Sequence, residues 1–417
     1  HSGSGANLTS LPAAQLTGTL PAISGANLTG IAATDNVRTG ILDVAGISTF
    51  RNTMNVGAAV TISESGIEAS GIGITVANIN GTQIGGRRNI WINGAMEVAQ
   101  RGTSSTSTGY CVVDRWVVNN NAGTITKAQI DLNNTDTGPW QDGIRHALRL
   151  TNTSAIGSGA GDYAECYYRP EARDLATSGW AYDNGNSFIT LSYWARSSVA
   201  QQYPASIRAE DWGSKYYFPW NFTLAQANVW QKFVIRIHGH SSMTIDNNND
   251  TGWILWINPY QGSDYFSGSY TANDWNANIS NKIFAGTPTT TWGTTAGATW
   301  DITGFQLEVG PEATPFENIS YADNLQQCFR YYRVQSKTRS SGREGGSSNY
   351  VMVNSFPLSP HMRNTPTCAI YGSANYNSNV SSIGTVNIAQ DHVGFIANIS
   401  DDAYWYYNNG WTADAEL

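Results

Sequence analysis

A chain of 417 residues exceeds what one hydrophobic core usually supports, so two or three domains are expected. Charged residues make up 13% and aromatics 12%, which excludes a disordered chain, and a net charge of −8 excludes the basic face that a nucleic-acid surface needs. Abundant Gly, Asn, Thr and Ser, with few Lys and Glu, point to short strands and turns, hence a mainly β protein. No apolar run approaches the ~18 residues of a membrane span, so membrane insertion is not expected. The chain begins His1-Ser2-Gly3 without Met or an apolar signal region, and is read as a processed or truncated product. Cys111, Cys166, Cys328 and Cys368 are far apart and show no C-x-x-C, so free thiols are expected rather than a zinc or disulfide framework.

Residues 1–85 form a distinct material. Gly5-Ala-Asn-Leu-Thr9 returns as Gly25-Ala-Asn-Leu-Thr29, and Leu11-Pro-Ala13 as Leu20-Pro-Ala22. Phe50 is the only aromatic residue before Trp91. Isolated Leu and Ile cannot bury a core within one chain; rows of them become stable when copies of the chain face one another. An oligomeric fibrous shaft is expected here.

Residues 86–318 read as a β-sandwich. The segment from Asn89 to Gly102 predicts a first strand, with Trp91 or Ile92, Met96 and Val98 inward and Asn93-Gly94 as a turn or bulge. Asp114, Arg115 and Trp116 are expected to be structural. Strand alternation then recurs: Ile144 to Leu150, Ile189 to Ala195, Phe233 to Ile237, Trp253 to Ile257, and Trp300 to Val309. The last run changes parity at Gly304, which predicts a bulge. Many strands with one-sided patterning and turn-rich breaks give a sandwich.

Gly310-Pro311 stops the last strand. Ser320 and Asp323 form a capping box, and Leu325, Cys328, Phe329 and Tyr332 follow at helical spacing, so residues 319–334 predict a joint helix. Residues 335–417 read as a small C-terminal β-domain with a closing hairpin turned at Asn409-Gly410.

Two segments carry a family resemblance. NIWINGAMEVAQRG followed by DRW, and FQLEVGPEATPFE followed by CFRYYR, resemble paired motifs of bacteriophage tail-fibre and tail-spike proteins. The LPAA and NLTG repeats are similar to phage fibre shafts, which implies a homotrimer. By pattern, residues 140–310 resemble jelly-roll carbohydrate-binding modules. The resemblance implies a virion protein of the phage tail: a shaft and trimerisation region at 1–85, joined through its N-terminus to other tail or baseplate proteins, a jelly-roll β-sandwich at 86–318, the joint helix, and a tip at 335–417. Its partner would be a host surface glycan.

No nucleophile elbow, phosphate loop or zinc-protease motif occurs. Glu165, Glu171, Asp174, Glu210 and Asp211 are available acids, but no pair is marked as catalytic, and a non-enzymatic binding protein is expected. Asp246, Asn248 and Asp250 alternate as calcium-loop ligands do, yet Ile257 stands where a bidentate acid is needed. A polar turn is the expectation and a structural Ca2+ the alternative; no other cofactor is implied. Sugars stack on exposed rings while acids and amides bind their hydroxyls. Two stretches without strand alternation combine these groups: Asp211, Trp212, Tyr216, Tyr217 and Trp220, then Tyr260, Asp264, Tyr265 and Trp275. Trp405, Tyr407 and Trp411 are the second choice. The alternatives to a binding fibre are a tail-spike polysaccharide depolymerase and a secreted carbohydrate-binding module.

Overall fold

The computed structural model describes residues 87–213, 215–343, 350–371, 380–399 and 404–417, with 337–343, 350–354, 380–381, 397–399 and 404–409 as backbone alone, and the backbone of three short strands between 54 and 69. The chain divides into two compact units, His1–Thr75 and Val76–Leu417. In the first, Met54–Val56, Val60–Ser63 and Gly66–Ala69 pair as an antiparallel sheet. The repeats of the expected shaft otherwise lie outside the described residues.

The second unit is mainly β and contains a jelly-roll sandwich of ten longer strands: β1 Trp116–Asn120, β2 Thr124–Asp131, β3 His146–Ser154, β4 Tyr163–Tyr168, β5 Phe188–Ser197, β6 Gln202–Ala209, β7 Tyr216–Thr223, β8 Gln231–His238, β9 Trp253–Ile257 and β10 Thr299–Val309. One sheet runs β8-β5-β10-β3-β2 and the other β7-β6-β9-β4-β1, with short strands at their edges. Alternation sets the core. Ile189, Leu191, Tyr193 and Ala195 of β5 are buried against Ile302, Phe305 and Leu307 of β10 and the inner residues of the facing sheet. The expected bulge is present: Ser192 pairs with Gln306 but Trp194 with Thr303. Gly304 sits there at φ +68°, and a Cβ would come within 2.8 Å of Ile144 and 2.9 Å of Trp194, so only glycine fits without displacement.

Every residue of β9 is buried, on both faces. Residues 260–286 fold back over the outer side of its sheet, where Ile254 and Trp256 pack with Tyr217, Phe266, Tyr270 and Phe284.

The segment 89–98 is not the strand that its pattern predicts; it is irregular. Side-chain amides replace the ladder. Asn89 Nδ2 donates to the Phe305 carbonyl (3.0 Å), while its Oδ1 accepts the N–H groups of Trp91 and Leu307 (both 3.0 Å). Asn93 adopts φ +58°; its Nδ2 donates to the Val98 and Asp114 carbonyls and its Oδ1 accepts from Glu97 and Val98. Local side-chain bonds of this kind compete with strand pairing. Gly94 is forced by space, since a Cβ would lie 2.0 Å from the Phe305 carbonyl oxygen.

The joint helix spans Tyr321–Cys328, and Ser320 Oγ accepts the Asp323 N–H as a capping box requires. Leu325 and Cys328 pack with Ile92, Val98, Tyr331 and Leu417. The tip has two three-stranded sheets: β11 Tyr332–Arg343, β16 Tyr404–Asp414 and β13 Thr367–Tyr371 in one, β12 Tyr350–Pro357, β15 His392–Ile399 and β14 Val380–Val386 in the other. Asn409 and Gly410 do not form the expected turn. They lie within β16, paired with Thr338 and Tyr371, and Gly410 leaves room for the Tyr371 ring. The last residues return to the sandwich, where Arg115 and Arg101 pair with Glu416; Arg363, between β12 and β13, donates from Nε to the Ala415 carbonyl at 2.8 Å. All four cysteines are free.

Candidate functional site

The rings expected to face solvent mostly do not. Trp212 stacks on Tyr216 with centroids 3.9 Å apart and 16° between planes, and meets Trp275 edge-on at 5.5 Å. Trp275 Nε1 donates to the His238 carbonyl at 2.8 Å, and Trp220 Nε1 to the Tyr193 hydroxyl at 3.2 Å. Trp212, Tyr217, Trp220, Tyr260 and Trp275 are buried, as is Trp411 in the tip core. None can offer a ring face to a sugar in this packing. The correction has two causes: Trp212 and Trp275 reach into the core from irregular backbone, whereas Tyr217 and Trp220 lie in β7, a strand covered on both faces and therefore without alternation. Tyr216 and Tyr265 stay half-buried and Asp264 exposed, while the side chains of Trp405 and Tyr407 lie outside the described residues.

The acids separate in the same way. Glu171 is buried and held by Arg330 through two bonds of 2.6 and 2.7 Å, and Glu210 pairs with Arg208 and with Lys215. Asp211 is half-buried; its carboxylate accepts the Asp246 N–H at 3.1 Å, and burial pushes its pKa up. In the 246–250 loop, Asn248 Oδ1 accepts the Asp250 N–H at 2.9 Å. The Asn248 and Asp250 carbonyls accept the Arg173 and Ala172 N–H groups at 3.0 and 2.8 Å, satisfying the free donors of the helix Ala172–Ala176. Among the described residues, no group of three His, Cys, Asp or Glu side chains is placed to hold a metal ion.

The outer face of β4 keeps accessible rings. Ala164, Cys166 and Tyr168 point into the core, so Tyr163, Glu165 and Tyr167 point out, and all three are half-buried. Tyr163 meets Tyr265 edge-on at 6.0 Å, and Tyr167 lies 6.3 Å from Trp256 with the Arg169 guanidinium 4.8 Å from its ring centre. Asn119 Nδ2 donates to the Tyr167 hydroxyl at 3.3 Å. Burial pushes the Glu165 carboxyl up to about 7, against the pull of the neighbouring Gln261 amide. Exposed Asp264 adjoins Tyr265 in the chain. Half-exposed rings beside a carboxyl, an amide and a guanidinium can stack on the C–H face of a sugar and bind its hydroxyls. Of this group, Tyr265 and Asp264 were legible as site residues; Tyr163, Glu165 and Tyr167 were missed as a site, although the period-2 pattern of YAECYY signals an outward row.

No family model matches this chain, and no curated protein matches it. Solved structures similar to it include the enzymatically active domain of tailspike protein 4 of bacteriophage CBA120, at 10% identity and TM-score 0.28 over 53% of this chain and 21% of that one. A family 11 carbohydrate-binding module from Clostridium thermocellum, in complex with a β-1,3-1,4-mixed-linked tetrasaccharide, shows 9% identity and TM-score 0.25 over 51% of this chain and 98% of that one. The module TmCBM61, in complex with β-1,4-galactotriose, shows 12% identity and TM-score 0.25 over 54% and 99%. Identities and TM-scores this low assign no ligand to the present chain.

Proposed function

We propose that this chain is the receptor-binding part of a bacteriophage tail fibre, which attaches a virion to a host surface glycan by binding and without catalysis. The observation that carries the glycan assignment is the outer β4 face, where Tyr163 and Tyr265 meet edge-on beside Glu165 and Asp264. The phage assignment is supported by the paired motifs, whose residues meet in space: Asn89 of the first binds Phe305 and Leu307 of the second. A homotrimer built through residues 1–85 would display the face three times, so weak single contacts would add through effective concentration.

The test uses the full chain. Light scattering should give three times 45.1 kDa, and the protein should adhere to intact candidate host cells but not after periodate oxidation of their glycans. Tyr163→Ala with Tyr265→Ala should abolish adhesion while the fold persists. Adhesion that survives periodate would sink the glycan reading. New reducing ends in host polysaccharide would replace binding alone with depolymerisation.

A further inference from the structure

Two turns bring three carboxylates to the ring pair of the β4 face. Residues 157–162 lead into β4 and residues 260–265 turn back over it. The turns are tied by the Gly262 N–H on the Asp162 carbonyl at 2.8 Å and the Asp264 N–H on the Ala160 carbonyl at 2.9 Å. The Tyr265 hydroxyl donates to the Gly161 carbonyl at 3.3 Å, with its ring edge-on to Tyr163. The Asp264 carboxylate lies beside Gly161, where a Cβ would be 3.5 Å from Oδ2. Asp162 precedes Tyr163 in the chain, and Glu165 follows it on the same side of the strand.

No cation is paired with these acids. Among the described residues, none of the three carboxylates forms an ion pair. Lys282 Nζ donates instead to the Asp264 main-chain carbonyl at 2.6 Å, and Arg169 lies at the Tyr167 end of the strand, bonded to the Leu417 carbonyl. The Tyr265 hydroxyl feels the result. Burial pushes its pKa up, and Glu165, Tyr163, Asp264 and Asp162 push it further in the same direction. An ionised carboxylate only accepts hydrogen bonds, so this face asks its ligand for donors. Sugar hydroxyls supply them. A sugar carboxylate, sulfate or phosphate supplies none and meets like charge, which weakens binding.

We propose that the β4 face selects neutral glycans and rejects those carrying carboxylate, sulfate or phosphate groups. This specificity rests on the glycan assignment of that face and adds the charge class of the ligand.

The experiment immobilises the full chain and offers neutral polysaccharides (dextran, galactan, mannan) and anionic ones (polygalacturonate, polysialate). It is run at about pH 8, where Glu165, whose pKa burial raises to about 7, is ionised. At least one neutral polymer should bind, and Tyr163→Ala with Tyr265→Ala should abolish that binding. The same polymer after partial sulfation should bind roughly tenfold or more weakly, as should the anionic polymers. Asp264→Asn with Glu165→Gln should narrow that gap at least about threefold, and so should salt at about 1 M, which screens charge. An anionic polymer held as tightly as the neutral ones through the same two tyrosines would overturn the charge class and leave the glycan assignment standing. So would a gap that neither salt nor the double variant changes, because lost hydroxyls and not charge would then explain it. Failure of every polymer, or binding that survives Tyr163→Ala with Tyr265→Ala, would remove the glycan assignment of the face and this specificity with it. Should Glu165→Gln not fold, Asp264→Asn alone decides.

Discussion

At the joint between the two motifs, polar side chains are buried; in the stretches 211–220 and 260–275, rings are. Asn93, Asp114 and Arg115 are within 2% of full burial, and each has several partners. There, Trp212 and Trp275 are held by ring contacts, Trp275 also by an indole N–H bond, and Trp220 of β7 by an indole N–H bond to the Tyr193 hydroxyl. A polar group is fixed by the geometry of its partners, so each position at the joint admits few residue types. A ring needs only a cavity of its shape, so many sequences could fill the loops. This difference explains why the two ring-rich stretches read as a loose aromatic enrichment that invites a functional interpretation.

The largest effect should come from the loops. Replacing Trp212 and Trp275 with Ala removes two mutually packed core rings, and truncations of this kind cost about 3–5 kcal/mol each. The double variant should lose cooperative thermal unfolding altogether. A variant that kept the wild-type melting curve yet failed to adhere to cells would reverse the contrast and restore these rings as a contact surface.

Arg115→Ala attacks the joint. The guanidinium is fully buried 3.4 Å from the Tyr331 ring centre, pairs with Glu416 and donates to the Arg169 carbonyl. Removing one partner of a buried pair costs about 3–5 kcal/mol when the other is left unpaired, and somewhat less is expected here because Arg101 still pairs with Glu416. Urea unfolding should show the drop in midpoint, and Glu416→Gln should cost less because it leaves a neutral acceptor. Equal costs for the two would show that the charge pair, not the packing of the guanidinium, holds the C-terminal residues to the sandwich.

A smaller effect is in the pH dependence. Burial pushes the Asp114 carboxyl up to about 7, against the pull of Gln100 and Arg101, and raises Glu165 to about 7 as well. Both folded values exceed the unfolded one, near 4 for a carboxyl. The stability from each group is therefore fully present below about pH 4 and lost as pH rises towards 7, by at most about 1.4 kcal/mol per pH unit. Asp114→Asn should flatten one share of that slope and Glu165→Gln another. A wild-type chain that gains stability from pH 4 to 7, with slopes unchanged in both variants, would show both carboxyls ionised throughout.

Much of the architecture was legible. Period-2 alternation marked β5, β8, β9 and β10, the parity change marked the bulge at Gly304, and the capping box marked the joint helix. These signals are local. What escaped is set by contacts distant in the chain. The segment 89–98 alternates like a strand, but Asn89 and Asn93 bind the groups that a neighbouring strand would have bound. Asn409-Gly410 is a common turn pair, but β11 and β13 flank it on both sides. The outer β4 face needed the knowledge that residues 260–286 cover one part of the sheet and leave Tyr163 accessible.

The smallest expected effect concerns the loop at Asp246, Asn248 and Asp250. Its spacing suits calcium, but the structure gives its oxygens other work. The Asn248 and Asp250 carbonyls bind the first N–H groups of the helix Ala172–Ala176, and Asn248 Oδ1 binds the Asp250 N–H. Asn249 is tied to Arg363 through two bonds of 2.9 and 3.0 Å. The loop is thus pinned at three consecutive residues without an ion. The Asp246 and Asp250 carboxylates that remain are on exposed residues, where water competes well with weak chelation. A ligand stabilises a fold only to the extent that it binds the folded state, so neither added calcium nor EDTA should move the melting temperature. Asp246→Ala should be equally silent. A rise in melting temperature with calcium that Asp246→Ala abolishes would instead make this loop a metal site, and would place a second cluster of fixed polar partners in a region where rings otherwise hold the chain.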